Sequence, residues 1–132
     1  MELKDTVNLM LSKDYKDRFK AEYYQKDDGS YPVEEFILSL DNKMKAKVLW
    51  TITLLEEYGT KLRLPYSEHL EDDIFELRIK QSSDITRVLY FFYKDKRIIL
   101  TNGFVKKSQK TPPGELKLAK DRRENFLKRG GK

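Results

Sequence analysis

Apolar positions along the chain change their period twice, and the changes mark out its elements. Near the start, Leu3, Val7, Met10 and Leu11 fall at helical spacing, so a short helix is expected within residues 1–18. Residues 19–25, FKAEYYQ, put Phe19, Ala21 and Tyr23 on one face of a strand, or form the end of a longer helix; Asp27-Asp28-Gly29-Ser30 then makes a turn. Pro32 suits the first position of a helix, and Val33, Phe36, Ile37 and Leu40 form one apolar stripe behind it. Asp41 or Asn42 can cap a second helix, with Met44, Val48, Ile52 and Leu55 as its stripe, Trp50 packed at its edge and Gly59 as its stop. Two short antiparallel helices joined by a tight turn are therefore predicted.

A loop carrying Pro65, Tyr66 and His69 follows, and then the period becomes two. Phe75, Leu77 and Ile79 alternate with Glu76, Arg78 and Lys80, which predicts a strand over 74–80. Residues 85–93 are aromatic or β-branched almost throughout, the texture of a central strand buried on both faces. Lys94-Asp95-Lys96 connects it to a third strand over 97–102, and a last helix begins after Pro112-Pro113 with Leu116, Ala119 and Phe126 along one side. The predicted class is α+β: two N-terminal helices on an antiparallel sheet of three to four strands, plus a C-terminal helix. Residues 1–18 read as an extension and 19–132 as the domain.

Length and composition agree with one domain of modest core: 132 residues, 39% hydrophobic and 37% charged. The absence of cysteine removes disulfides and thiolate chemistry, and a single histidine argues against a His-rich metal site. No cofactor or metal is expected. Without a signal region or an apolar run of membrane length, a cytoplasmic location with no membrane partner is expected.

Charge is the most uneven property. Between Phe104 and Lys132 ten Lys or Arg stand against three Asp or Glu, so this segment carries the whole formal excess of +5. Such asymmetry points to an anionic partner, either nucleic acid or an acidic protein segment, with a solvated basic helix as the plain alternative. Its first part, GFVKKSQKTPP, sets Lys106, Lys107 and Lys110 among the neutral donors Ser108, Gln109 and Thr111. Cations so crowded suit both phosphate contact and proton transfer.

A turn centred on Ser82-Ser83 places Arg78 directly across from Arg87. Like charges opposite one another destabilise a sheet, so either an anion sits between the two guanidiniums, or Glu76 or another carboxylate neutralises them, or a bulge shifts the register. His69 is the one imidazole, able to serve as acid or base or simply to pack in its loop. Tyr66 can stack on a base or pack at the core's edge. Glu71-Asp72-Asp73 lacks convergent partners and reads as a solvated turn rather than a metal site.

From about Phe19 to Leu127 the chain resembles the RelE/ParE superfamily of type II toxin–antitoxin toxins, in particular its phage-derived, HigB-like branch. YPVEEFILSL, KVLWTITLLEEYG, YSEHL, IFELRIK, ITRVLYFFY and GFVKKSQKTP with the following ELKLAKDRRENFL carry the likeness. The resemblance implies a RelE-like fold and, for RelE-like members, ribosome-dependent and metal-independent cleavage of mRNA, in which the 2′-hydroxyl attacks the adjacent phosphate. It assigns Arg87 to transition-state stabilisation, Arg78 to the substrate phosphate, and Lys107, Lys110 and His69 to phosphate contact or proton transfer. Lys106, Lys107, Gln109, Lys110, Lys117, Arg122 and Arg123 would bind RNA. A family tyrosine near the C-terminus has no counterpart, since no Tyr follows Gly103. The resemblance also implies a cognate antitoxin, typically a helix-turn-helix protein, and the ribosome and mRNA as partners. Gyrase-directed members and a non-catalytic basic interaction module with the same fold are the alternatives.

Overall fold

The computed structural model describes residues 17–106 and 110–132; the helix expected within 1–18 therefore lies outside the described residues apart from its last two positions. A five-stranded sheet with strand order β1-β5-β4-β3-β2 organises the protein. Its strands are β1 (Lys20–Tyr23), β2 (Ser67–Glu71), β3 (Ile74–Gln81), β4 (Asp84–Tyr93) and β5 (Arg97–Lys106). The helices are α1 (Pro32–Leu38), α2 (Asn42–Tyr58), which ends in a short 3-10 turn, and α3 (Pro113–Lys128).

Local signals explain most of these boundaries. Pro32 starts α1, whose Val33 and Ile37 are buried. The Asp41 carboxylate accepts the Met44 amide at 2.9 Å and so caps α2, whose Met44, Val48, Ile52 and Leu55 face the sheet. At the end of α2, Gly59 adopts φ 52° with the Phe19 ring packed so close that a Cβ would lie 2.1 Å from it.

Two expectations are corrected. The sheet is mixed rather than antiparallel, because β1 runs parallel to β5 with Lys20 opposite Arg97. It also has a fifth strand, since the segment read as a loop carrying His69 pairs with β3 as the edge strand β2. Ser67, the buried residue of β2, shares a 2.6 Å hydrogen bond with the Tyr90 hydroxyl, and that bond fixes the strand against the core. Burial pushes the Tyr90 phenol up to about 12.

Each face of the sheet has its own core. Val33, Ile37, Val48 and Leu55 from α1 and α2 pack with Leu77, Ile79, Val88, Tyr90, Ile98 and Leu100 on one face. On the other, Ala119 and Phe126 of α3 pack with Tyr24, Ile74, Leu89, Phe91 and Ile99. Strand β4 contributes to both, as its unbroken apolar texture predicts.

Strand β5 runs four residues beyond the expected end at Asn102. Gly103 lets it continue under α1, because a Cβ there would lie 2.4 Å from the Phe36 ring. Gly103→Val is expected to cost about 1–3 kcal/mol through overpacking, read from the urea unfolding midpoint. An unchanged midpoint would show that Phe36 does not need this space.

Candidate functional site

The register of β2, β3 and β4 builds a charged quartet on the α3 side of the sheet. Glu76 and Arg78 follow Ile74 at steps of two, and Arg87 precedes Leu89 and Phe91 in the same way, so all three share a face with that apolar cluster. Arg78 lies directly opposite Arg87, the register expected from the Ser82-Ser83 turn, and Glu68 lies opposite Glu76. Two like-charged pairs side by side neutralise one another along the diagonals and along the strand. Glu76 Oε2 stands 3.8 Å from Arg87 Nη1, and Glu76 Oε1 stands 3.6 Å from Arg78 Nε. Arg78 Nη1 lies 3.8 Å from Glu68 Oε2.

Of the readings open for the arginine pair, neutralisation by Glu76 is the one this geometry displays. Burial sharpens it. Arg87 is 0% exposed and Glu76 1%, whereas the Arg78 side chain retains 19%. Thr111, just ahead of α3, seals the buried pair: its hydroxyl accepts from Arg87 Nη1 at 3.4 Å and donates to Glu76 in a very short hydrogen bond. Arg87 therefore supports the site from beneath, and Arg78 is the guanidinium that reaches solvent. Glu68 and Thr111 were not legible as site residues. The only sequence signal for Glu68 was its place in the YSEHL segment, and Thr111 stood out merely as one neutral donor among several.

Beside this quartet runs a groove of about 470 Å³, lined by Glu68, His69, Leu70, Lys110, Thr111 and Leu116 among others. Through the edge strand that sequence reasoning missed, positions 69 and 110, 41 residues apart, both line this groove, although the His69 ring itself packs beside Phe75 on the α1–α2 side of the sheet. The His69 ring lies 4.9 Å from that of Phe75, and its Nε2 is 2.6 Å from the Asp72 carbonyl oxygen. Lys110 is exposed, and Lys106 ends β5 in an exposed position opposite Ile85. Lys107 and Gln109 lie outside the described residues.

The basic helix has a different character from the one its composition suggests. Lys120 binds Glu71 at 2.8 Å and Asp72 at 3.1 Å, and Arg123 binds Asp73 at 2.9 Å. Arg122 donates to the Thr101 carbonyl at 2.8 Å and lies over the Tyr24 ring, and burial lowers its pKa. Lys117 pairs with Asp121 one turn on, which raises its pKa. Lys120, Arg122 and Arg123 thus anchor α3 to the sheet, Lys120 and Arg123 with the Glu71-Asp72-Asp73 turn as their counter-charge, whereas Lys117 is engaged within the helix. Among the groove's lining residues the cation is Lys110, from the segment ahead of α3, and Arg78 stands in the neighbouring quartet through Glu68.

Among the described residues no cluster of His, Asp or Glu has the arrangement of a metal site, and no helix is long and apolar enough to cross a membrane. Comparison with curated proteins found no match. A protein-family model described as Phage derived protein Gp49-like (DUF891) matches residues 35–124, from α1 through most of α3 and including the whole quartet. The chain belongs to this phage-derived Gp49-like family, a toxin-like family of RelE/HigB type that is associated with toxin–antitoxin toxins.

Proposed function

We propose that the protein is the toxin of a type II toxin–antitoxin module, a HigB-like member with a RelE-like fold, and that it cuts mRNA on the ribosome. The observation that carries this reading is the Arg78–Arg87 quartet set beside a groove that holds Lys110 and His69. In the proposed reaction the RNA 2′-oxygen attacks the adjacent phosphorus and the bond to the 5′-oxygen breaks. The products are a 2′,3′-cyclic phosphate and a 5′-hydroxyl. A base accepts the 2′-hydroxyl proton, an acid supplies one to the leaving oxygen, and cations stabilise the charge gathered on the phosphorane.

Arg78 and Lys110 are placed to meet that charge. Arg87 acts through Glu76 and Thr111, holding in position the strand and the segment from which Arg78 and Lys110 project. His69 at the groove is the candidate for proton transfer, while Lys106, Lys107 and Gln109 would follow the RNA backbone. Arg122 and Arg123 contribute chiefly by docking α3 on the sheet, while Lys117, exposed and paired with Asp121 on the same helix, is proposed to meet the RNA. The cover for such a face is a cognate antitoxin, proposed to be a helix-turn-helix protein.

Controlled expression tests the reading. Growth arrest with new 5′ ends inside translated messages supports it. A DNA-damage response with filamentation would point instead to a gyrase inhibitor, and unaffected growth to an interaction module. Ribosome or RNA binding is also expected to weaken steeply with salt. With about three phosphate contacts the slope of log K against log salt is about −2, measured by filter binding between low and physiological salt. A flat dependence would remove the cationic face from the account.

A further inference from the structure

The outer side of α2 carries an apolar surface that the fold leaves uncovered. Lys43, Lys47, Trp50, Leu54 and Tyr58 follow one another at steps of three or four and form a single line along the helix. Beyond it the chain adds Leu62, Leu64 and Tyr66, which close a groove of about 320 Å³ with Trp50, Leu54 and Tyr58. Trp50 is 55% exposed and Leu64 60%, contrary to the expectation that Trp50 packs at the helix edge. Its ring meets that of Tyr66 edge-on, with centroids 6.2 Å apart, which holds the two as a rigid apolar wall.

The charges around this groove differ from those of α3. Lys43 and Lys47 stand at one end and Lys61 and Arg63 at the other, all exposed, and none of the four forms an ion pair among the described residues. Arg63 and Lys47 are held only by backbone carbonyls: Thr60 and Leu62 for the first, Lys80 for the second. Where most cations of α3 find carboxylates within the fold, these four flank an apolar centre without an ion pair among the described residues, although Asp17 and Glu57 stand on the far side of Lys61. Aromatic anchors within a polar rim are the anatomy of a protein interface.

We infer that this groove docks an amphipathic helix of a partner protein, with an apolar stripe against Trp50, Tyr58 and Leu64 and acidic residues toward Lys43, Lys47, Lys61 and Arg63. The surface lies on the α1–α2 side of the sheet, opposite the Arg78–Arg87 quartet, and does not depend on the nuclease reading.

Trp50 is the only tryptophan in the chain, so its emission reports the groove directly. The probe is a synthetic helix of about four turns, with leucines at i, i+3, i+4 and i+7 and glutamates on either side of that stripe. The full chain is expected to bind it with a blue shift of Trp50 emission, and a version with lysines for glutamates is expected to bind at least tenfold more weakly. Leu64→Ser and Tyr58→Ser, both exposed positions that should leave folding intact, are each expected to weaken binding about tenfold. Equal affinity for the two peptides, no shift with either, or full binding by the serine variants would overturn the proposal. So would a blue shift that grows with protein concentration alone, since that would assign the groove to a second copy of this chain.

Discussion

Arg87→Ala is expected to cost about 3–5 kcal/mol of stability, because it strands the Glu76 carboxylate in the sheet's interior without its buried counter-charge. Thr111 would lose a partner at the same time. The double variant Glu76→Leu/Arg87→Met removes both charges and should recover most of the loss, since well-packed apolar replacements of a buried pair are often neutral or better. Urea unfolding of the single and double variants measures this. If the single variant is as stable as the parent, Arg87 is not paired with Glu76 as described. The result also bears on the proposed function: an inactive Arg87→Ala variant would show failed folding before it showed failed chemistry.

Arg78→Ala is the informative substitution. The side chain is partly exposed and lies between Glu68 and Glu76, and its removal leaves the contacts of Glu76 with Arg87 and Thr111 in place. Stability should fall by about 1–3 kcal/mol, the range for hydrogen bonds and pairs to charged groups, and less than for Arg87→Ala because the buried Glu76–Arg87 pair persists. Activity should fall by about 10²–10³-fold, the usual cost of removing one donor that meets developing charge. Growth after induction, alongside the unfolding midpoint of the same variant, separates the two effects. Unaltered arrest by a stable Arg78→Ala variant would remove this arginine from the site.

Much of this arrangement follows from local pattern. Period-two alternation in β3 and the apolar run of β4 fixed which residues share a face, and the Ser82-Ser83 turn alone placed Arg78 across from Arg87. Pro32, Asp41 and Gly59 marked helix ends because capping and backbone geometry act within a few residues. What escaped was set by distant partners. SEHLE is too polar to look like a strand, and it becomes one because β3 offers an edge and Tyr90 a hydroxyl for Ser67. The parallel pairing of β1 with β5 joins residues some 77 positions apart, for which no local signal exists. Gly103 looked like the end of β5, and its role was instead to admit Phe36.

The charge pattern taught the same lesson. Lys120 and Arg123 counted toward a basic surface until the fold set them against Glu71, Asp72 and Asp73, a run that looked like a solvated turn. Net charge counted cations of α3 that the fold engages with carboxylates and a carbonyl, Lys120, Arg122 and Arg123 among them. In the proposed reading fewer cations meet an anion: Arg78 in the quartet and Lys110 in the groove beside it.

The most direct test of the central claim is cleavage by purified protein. A defined mRNA on translating ribosomes would be incubated with the parent chain and with Arg78→Ala of matched unfolding midpoint, and the new 3′ ends analysed for their phosphate. The expected result is cutting within the coding sequence by the parent, with 2′,3′-cyclic phosphate ends, and at least a hundredfold slower cutting by Arg78→Ala. Intact message with folded parent protein, or equal cutting by the two chains, would contradict the account.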